Sequence, residues 1–236
     1  RHTGGPLDFE ARLRGRSITG AARRGKFLWL PLDADSTDGE NLSDVPEAIL
    51  VHLGMSGQML LRADGASTER HERIRLSIEH AEHGPLDVVF ADQRTFGSLA
   101  IDPLVPTADG EAAGWGTPDP LLPSQVAHIG RDPLDPAFRD RAFVQALSRK
   151  DSAIKRVLLD QTLASGIGNI YADEALWAAR IHPETPARTL SLRAAGRLLT
   201  EVRAVLNRAL AEGGTSFDAQ YVNVNGQAGY FAHSLR

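Results

Sequence analysis

The residues best suited to chemistry in this chain sit on glycine-punctuated turns. Gly166-Ile167-Gly168-Asn169 stands directly before a helical stretch that begins Ile170-Tyr171-Ala172. Glycines let a backbone turn tightly and approach a ligand, and a helix N-terminus offers unpaired N–H groups and a positive dipole end. The pattern suits a phosphate, with the Asn169 amide as a further donor; it equally suits a tight helix–helix turn with Asn169 as its N-cap. In Arg23-Arg24-Gly25-Lys26 a lysine follows a permissive glycine. Such a lysine can touch phosphate or, with its pKa lowered by cationic neighbours, act as an acid; otherwise the tetrapeptide is a solvated basic turn. Met55 in His52-Leu53-Gly54-Met55-Ser56-Gly57, and Arg94 and Phe96 in Asp92-Gln93-Arg94-Thr95-Phe96-Gly97, could wedge into a base stack and fill the gap left by an extruded nucleotide. Core packing of Met55 and Phe96 is the plainer account. His71 at a strand start could donate to a phosphate or simply be solvated. Lys150 and Lys155 flank a helix start upstream of the Gly166 turn, where they would neutralise neighbouring phosphates if that turn grips one.

These turns need elements to hold them. Residues 17–103 read mainly as strands: apolar runs at 27–30 and 48–53, a period-two alternation at 73–78, and a further β pattern at 87–91. Several short strands separated by turn signals suggest a sandwich or barrel. Residues 104–131 are rich in Pro, Gly and acids without periodicity, and read as a linker. From 136 onward the spacing is helical. Ala142, Val144 and Leu147 form one face; Ile154, Val157 and Leu158 form the next, with Ser152 as a plausible cap. A third helix spans 171–181 and ends before Pro183. The clearest helix spans 191–212, with Leu192, Ala195, Leu198, Leu199, Val202, Val205, Leu206 and Leu210 on one face and Gly213 at its C-terminal cap. The segment 214–230 is Gly/Asn-rich with interleaved aromatics and reads as a loop. The expected organisation is a β domain over 1–103, a linker over 104–131 and a helical domain over 132–236.

Composition bounds the rest. The chain has 236 residues, 42% hydrophobic and 24% charged, with a formal net charge of -4. A net negative charge by itself argues against nucleic acid. The charges are unevenly placed, however: residues 1–26 hold Arg1, Arg12, Arg14, Arg16, Arg23, Arg24 and Lys26 against Asp8 and Glu10, while acids gather over 33–47 and 102–119. A basic face is therefore compatible with the total. There is no cysteine, which excludes disulfides and thiolate metal sites within the chain, and the histidines lack ligand spacing. No apolar run approaches the roughly 18 residues that span a bilayer, and no signal-peptide pattern opens the chain. A cytoplasmic location is the default expectation.

In this order, Arg-Arg-Gly-Lys26-Phe-Leu, His-Leu-Gly-Met55-Ser-Gly, Asp-Gln-Arg94-Thr-Phe96-Gly, Ser-Gly-Ile-Gly-Asn169-Ile-Tyr-Ala-Asp-Glu, and Gly-Gly-Thr-Ser-Phe217 with Tyr-Val-Asn-Val-Asn-Gly resemble the internal signature of the formamidopyrimidine-DNA glycosylase family. The resemblance runs from near residue 10 to the end. It implies an α+β fold, an N-terminal β-sandwich domain (truncated) followed by a helix-two-turns-helix domain. It implies excision of oxidised purines, 8-oxoguanine and formamidopyrimidines, from double-stranded DNA by a bacterial, nucleoid-associated monomer, with β,δ-elimination at the abasic site. By resemblance Lys26 contacts the lesion-strand phosphate and donates a proton in β-elimination. Met55, Arg94 and Phe96 fill the space of the flipped base. His71, Arg94, Lys150, Lys155 and Asn169 bind DNA. Thr215, Ser216, Phe217, Tyr221, Asn223 and Tyr230 belong to the loop that closes over an extruded 8-oxoguanine.

Two departures accompany the resemblance. The family begins with Pro-Glu-Leu-Pro-Glu, whose terminal amine is the nucleophile and whose adjacent Glu is the acid; nothing here matches it. The family also ends with a four-cysteine zinc hairpin, so one zinc ion is expected in the full-length protein and none in this chain. The expectation is a fragment that cannot excise a base and whose missing first strands expose apolar sheet surface. Two other readings stay open. An endonuclease VIII-like enzyme would prefer thymine glycol to 8-oxoguanine, and a non-catalytic DNA-binding protein would keep the turns without the chemistry.

Overall fold

The structure is a computed structural model that describes residues 2–33, 45–54 and 57–212. Helix α1 (Gly5–Leu13) precedes eight strands: β1 (Ala22–Arg24), β2 (Phe27–Pro31), β3 (Glu47–His52), β4 (Gln58–Ala63), β5 (Glu72–His80), β6 (Gly84–Ala91), β7 (Ser98–Pro106) and β8 (Leu121–Pro123). Helices α2 (Asp140–Leu147), α3 (Ile154–Leu158), α4 (Asn169–Ala178) and α5 (Leu192–Ala211) follow. The strands form two antiparallel sheets among the described residues, ordered β1-β2-β3-β7-β8 and β4-β6-β5.

Strand β3 shows why the sheets stack. Its run Ala48-Ile49-Leu50-Val51 is buried throughout. Side chains alternate across a strand, so Ile49 and Val51 face one way and Ala48 and Leu50 the other. Ile49 and Val51 join Leu30, Leu99, Ile101 and Phe90 in the core between the two sheets, closed at one side by Phe9 of α1. Ala48 and Leu50 join Trp29, Leu104, Ala113, Leu122, Val126 and Ile129 in a second core behind the first sheet. Burial on both faces is what turns a strand's alternating pattern into a continuous apolar run. Around α1 the two sheets leave an open cavity of about 1490 Å³, walled by Leu13, Leu30, Ile49, Met59 and Leu76 among others. None of the chemistry-bearing turns lines it.

The second core corrects the linker expectation for 104–131. Strand β7 continues to Pro106, β8 pairs with it, and a 3-10 turn follows at Ser124–Val126. Asp102 is 4% exposed and accepts from Ser124 Oγ, Gln125 N and Gln125 Nε2, so this acid belongs to a strand and not to a loop. Pro, Gly and acid content hid the order, because it comes from long-range packing and side-chain acceptors and not from any local period. The basic stretch at the start also differs from expectation. Arg12 and Arg16 pair with Glu47, which ties α1 to β3, and Arg24 is 6% exposed, so these three cations serve the fold.

The helices enclose a separate core made by Phe143, Leu147, Ile154, Leu158, Ile167, Leu176, Leu198 and Val202. Ser191 caps α5 by accepting from Ala194 N. Leu192 and Leu210, expected on its apolar face, are 77% and 64% exposed because α5 outruns the core at both ends. The third helix begins at Asn169 and ends at Ala178, earlier than its apolar spacing suggests. Helix α3 is only five residues long, and its N-cap is Ala153 without a side-chain bond, so Ser152 does not cap it.

Candidate nucleic-acid interface

Gly25 and Lys26 form the two-residue turn of the β1–β2 hairpin, closed by the Arg24↔Phe27 pair. Gly25 has φ +58, the left-handed conformation that a tight hairpin turn needs. Lys26 is exposed, while Gly25 is buried against the helical half. A Cβ on Gly25 would stand 2.8 Å from Ser165 Cβ and 3.5 Å from Gly166 N. The basic hairpin tip and the glycine turn before α4, far apart in sequence, are thus in van der Waals contact.

The same end of the sheet carries the other two turns. Register runs from Phe27 to His52 to Ser98, so the end of β3 and the start of β7 lie in line with the hairpin tip. A Cβ on Gly54, which has φ +62, would meet Gly97 N and the Phe96 carbonyl carbon at 2.8 Å. The turn after β3 therefore rests on the turn that bears Arg94 and Phe96; Met55 and Ser56 themselves lie outside the described residues. Asp92, 1% exposed, accepts from Arg94 N at 3.2 Å and Gly97 N at 2.8 Å and so shapes that turn. Phe96 is 62% exposed, which rules out core packing for it. His71, at φ +65, accepts through its carbonyl from Asp92 N at 2.9 Å; its Nε2 is buried without a hydrogen-bond partner among the described residues.

On the helical side, Gly168 and not Asn169 is the N-cap of α4, with no side-chain cap bond. Asn169 is the first helical residue and is exposed. Its amide is not consumed in capping, which overturns the plain alternative for that motif. The turn in front is moulded by a residue that sequence reasoning missed. Gln161 donates through Nε2 to Ile167 O at 2.9 Å and accepts through Oε1 from Gly166 N at 3.0 Å. Lys155 Nζ pairs with Asp173 of α4 at 2.8 Å, and Lys150 Nζ with Asp160 at 3.2 Å. Partly exposed pairs of this kind contribute little stability. Thr215, Ser216, Phe217, Tyr221, Asn223 and Tyr230 lie outside the described residues.

Similarity to known proteins covers the same two halves. Sequence models of the formamidopyrimidine-DNA glycosylase N-terminal domain and of its H2TH domain match residues 1–99 and 129–220. A formamidopyrimidine-DNA glycosylase from Leifsonia xyli is 63% identical over 227 residues, covering 96% of this chain and 73% of the relative. The chain belongs to the formamidopyrimidine-DNA glycosylase family. A member from Thermobifida fusca is 52% identical over 239 residues, covering all of this chain and 74% of the relative. Among solved structures, a complex of Lactococcus lactis Fpg with abasic-site DNA superposes with TM-score 0.73 at 26% identity, covering 99% of this chain and 75% of that one. A complex of the same enzyme with FAPY-dG DNA gives TM-score 0.68 at 26% identity, covering 97% and 73%. The α+β architecture is therefore the family's own.

Electrostatics mark the seam between the halves of this formamidopyrimidine-DNA glycosylase family member. Asp132, 6% exposed, lies 3.8 Å from Arg23 Nη2, and a Cβ on Gly166 would meet it at 3.2 Å. Burial pushes its carboxyl pKa up, against the opposing pull of Leu134 N–H and Arg23. A carboxyl raised above its unfolded value adds stability below the unfolded pKa and loses it as pH rises through the folded one. Asp132→Asn removes that loss. Its melting temperature is expected to exceed wild type at pH 7, with a smaller gain at pH 4; equal shifts at both would show that Asp132 is not desolvated. His52, whose ring is 4.8 Å from Phe27, has its pKa lowered by burial first and by Lys26 second, so it stays neutral beside the hairpin tip near pH 7. The chain has no cysteine, and among the described residues no three His, Asp or Glu converge.

Proposed function

We propose that this protein binds double-stranded DNA carrying oxidised bases or abasic sites and that, as the full-length enzyme, it acts in base-excision repair, removing oxidised purines such as 8-oxoguanine and formamidopyrimidines and cleaving the resulting abasic site by β,δ-elimination. The observation that carries this reading is the contact between the Gly25-Lys26 tip and the Ser165-Gly166 turn. It sets an exposed cation and a helix N-terminus side by side, which suits successive phosphates of one strand. In this reading Lys26 and Asn169 grip the lesion strand, with Lys26 also the proton donor of β-elimination. Lys150 and Lys155 neutralise further phosphates, and His71 donates to one. Arg94 and Phe96, with Met55, enter the stack where the damaged nucleotide leaves, and Thr215, Ser216, Phe217, Tyr221, Asn223 and Tyr230 cover the extruded base. An exposed Phe96 beside Arg94 on a carboxylate-braced turn suits that wedge and supports the purine branch. Fpg of Lactococcus lactis has been solved with abasic-site DNA, which agrees with the proposed ligand. The zinc ion belongs, in this reading, to the full-length enzyme. Among the described residues no helix is long and apolar enough to cross a membrane, and a monomer working in the cytoplasm on the nucleoid is the proposed setting.

Fluorescence anisotropy with a duplex containing a tetrahydrofuran abasic analogue tests the binding step. Lys26→Ala and Asn169→Ala should each weaken binding by about tenfold, and Lys26→Ala should lower the salt slope by about one. Wild-type affinity and salt slope in both variants would refute the reading.

A further inference from the structure

Lys26 rides at the tip of a strand only three residues long, at the end of its sheet. Such a tip frays unless something else holds it. Segments outside the hairpin supply the hold. On the open side of β1, Arg23 N donates to Trp115 O at 2.8 Å and Trp115 N to Arg23 O at 3.0 Å. Gly114 and Gly116 make this approach possible: a Cβ on Gly114 would collide with the Arg23 carbonyl oxygen, and one on Gly116 with that of Ala21. Beneath the strap lies Arg24. Its Nε donates to Ala113 O at 2.7 Å and its Nη1 to Ile129 O at 3.2 Å. One guanidinium thus joins the hairpin to the strap and to the segment that leads into the helical half.

The chemistry of this group is unusual for a stabilising contact. Arg24 is 6% exposed, its direct partners are neutral carbonyls, and Nη2 has no hydrogen-bond partner among the described residues. Burial and the nearby Arg131 both lower its pKa. A buried cation with incomplete pairing is a poor source of stability, and an apolar side chain of similar length is often tolerated in its place. What a planar two-way donor supplies, and an apolar chain does not, is a fixed geometry between the segments it joins.

We infer that Arg24 is a positioning residue for Lys26, locking the hairpin through the Ala113 and Ile129 carbonyls so that its tip stays seated on the Ser165-Gly166 turn. The inference rests on the reading of Lys26 as a DNA contact. Its signature is dependence on Lys26: a general structural role would weaken DNA binding whether or not the lysine is present.

The test is a double-mutant cycle with wild type, Arg24→Met, Lys26→Ala and the double variant, measured against the tetrahydrofuran duplex. Arg24→Met is expected to weaken binding about tenfold beside an intact Lys26 and less than about twofold once Lys26 is alanine. Equal factors in both backgrounds would overturn the inference. If Lys26→Ala weakens binding while Arg24→Met does not, the positioning role fails and the DNA reading stands. If Lys26→Ala binds as wild type, both fall. Gly114→Ala keeps the guanidinium but displaces the strap, and with it the Ala113 carbonyl that Arg24 holds, and so answers the question should Arg24→Met fail to fold. It should show the same Lys26-dependent loss, and a loss independent of Lys26 would count against the inference.

Discussion

Gly25→Val is expected to weaken binding of abasic-site DNA by roughly ten- to a hundredfold. The backbone at Gly25 has φ +58, where a β-branched residue costs on the order of 1–3 kcal/mol. The side chain also has nowhere to go, since its first carbon alone would stand 2.8 Å from Ser165 Cβ. The hairpin can relieve both problems by lifting off the Ser165-Gly166 turn, which separates Lys26 from the start of α4. About 1.4 kcal/mol of lost alignment is a factor of ten in affinity. Gly25→Ala keeps the strained φ and the clash but adds less bulk, so its loss should be smaller and in the same direction. Anisotropy titrations of both variants, alongside thermal melts that show a folded helical half, give the answer. Wild-type affinity in the valine variant would mean that contact between hairpin and turn has no part in holding DNA.

Asp92→Ala should destabilise the β half by about 2–4 kcal/mol. The carboxylate is nearly fully buried and receives the Arg94 and Gly97 amides through partly buried hydrogen bonds. A donor left unpaired costs about 1–3 kcal/mol when buried, and these two, being partly buried, together with the lost packing of the side chain account for the lower part of the summed range. Asp92→Asn keeps one acceptor and should lose about half as much. Urea denaturation followed by tryptophan fluorescence reports the change, because Trp29 lies in the core next to β3. A loss within about 0.5 kcal/mol for the alanine variant would show that the turn holds its shape without the carboxylate. The same variant should bind DNA less well, since Arg94 and Phe96 depend on that turn for their direction.

The contrast between what could and could not be read from sequence follows from range. Helix α5 was legible because its period and its Ser191 cap are local, and β3 because a doubly buried strand is a continuous apolar run. The motifs with Lys26, Arg94 and Asn169 were legible one at a time. That the turns bearing them meet at one end of the sheet was not, because it depends on register across β2, β3 and β7 and on a glycine meeting a serine from the other half. Arg24 looked like one more surface cation beside Lys26; only the Ala113 and Ile129 carbonyls reveal that it points inward. Gln161 carried no signal at all, since its role is to match an N–H and a C=O that exist only once the Gly166 turn has formed. The motif leaves a capping Asn169 open because sequence alone does not fix a helix start to the residue; α4 begins at Asn169 itself.

The Gly114-Trp115-Gly116 strap has a further consequence, for how copies of this protein meet one another. An outermost strand with vacant amides and carbonyls is a template for intermolecular β pairing. At Arg23 both vacancies are filled from within the same chain by Trp115, and the glycine on each side leaves no gap for an intruding backbone. A stretch whose composition suggests dispensable spacer therefore guards against self-association, and shortening it would remove a safeguard for solubility.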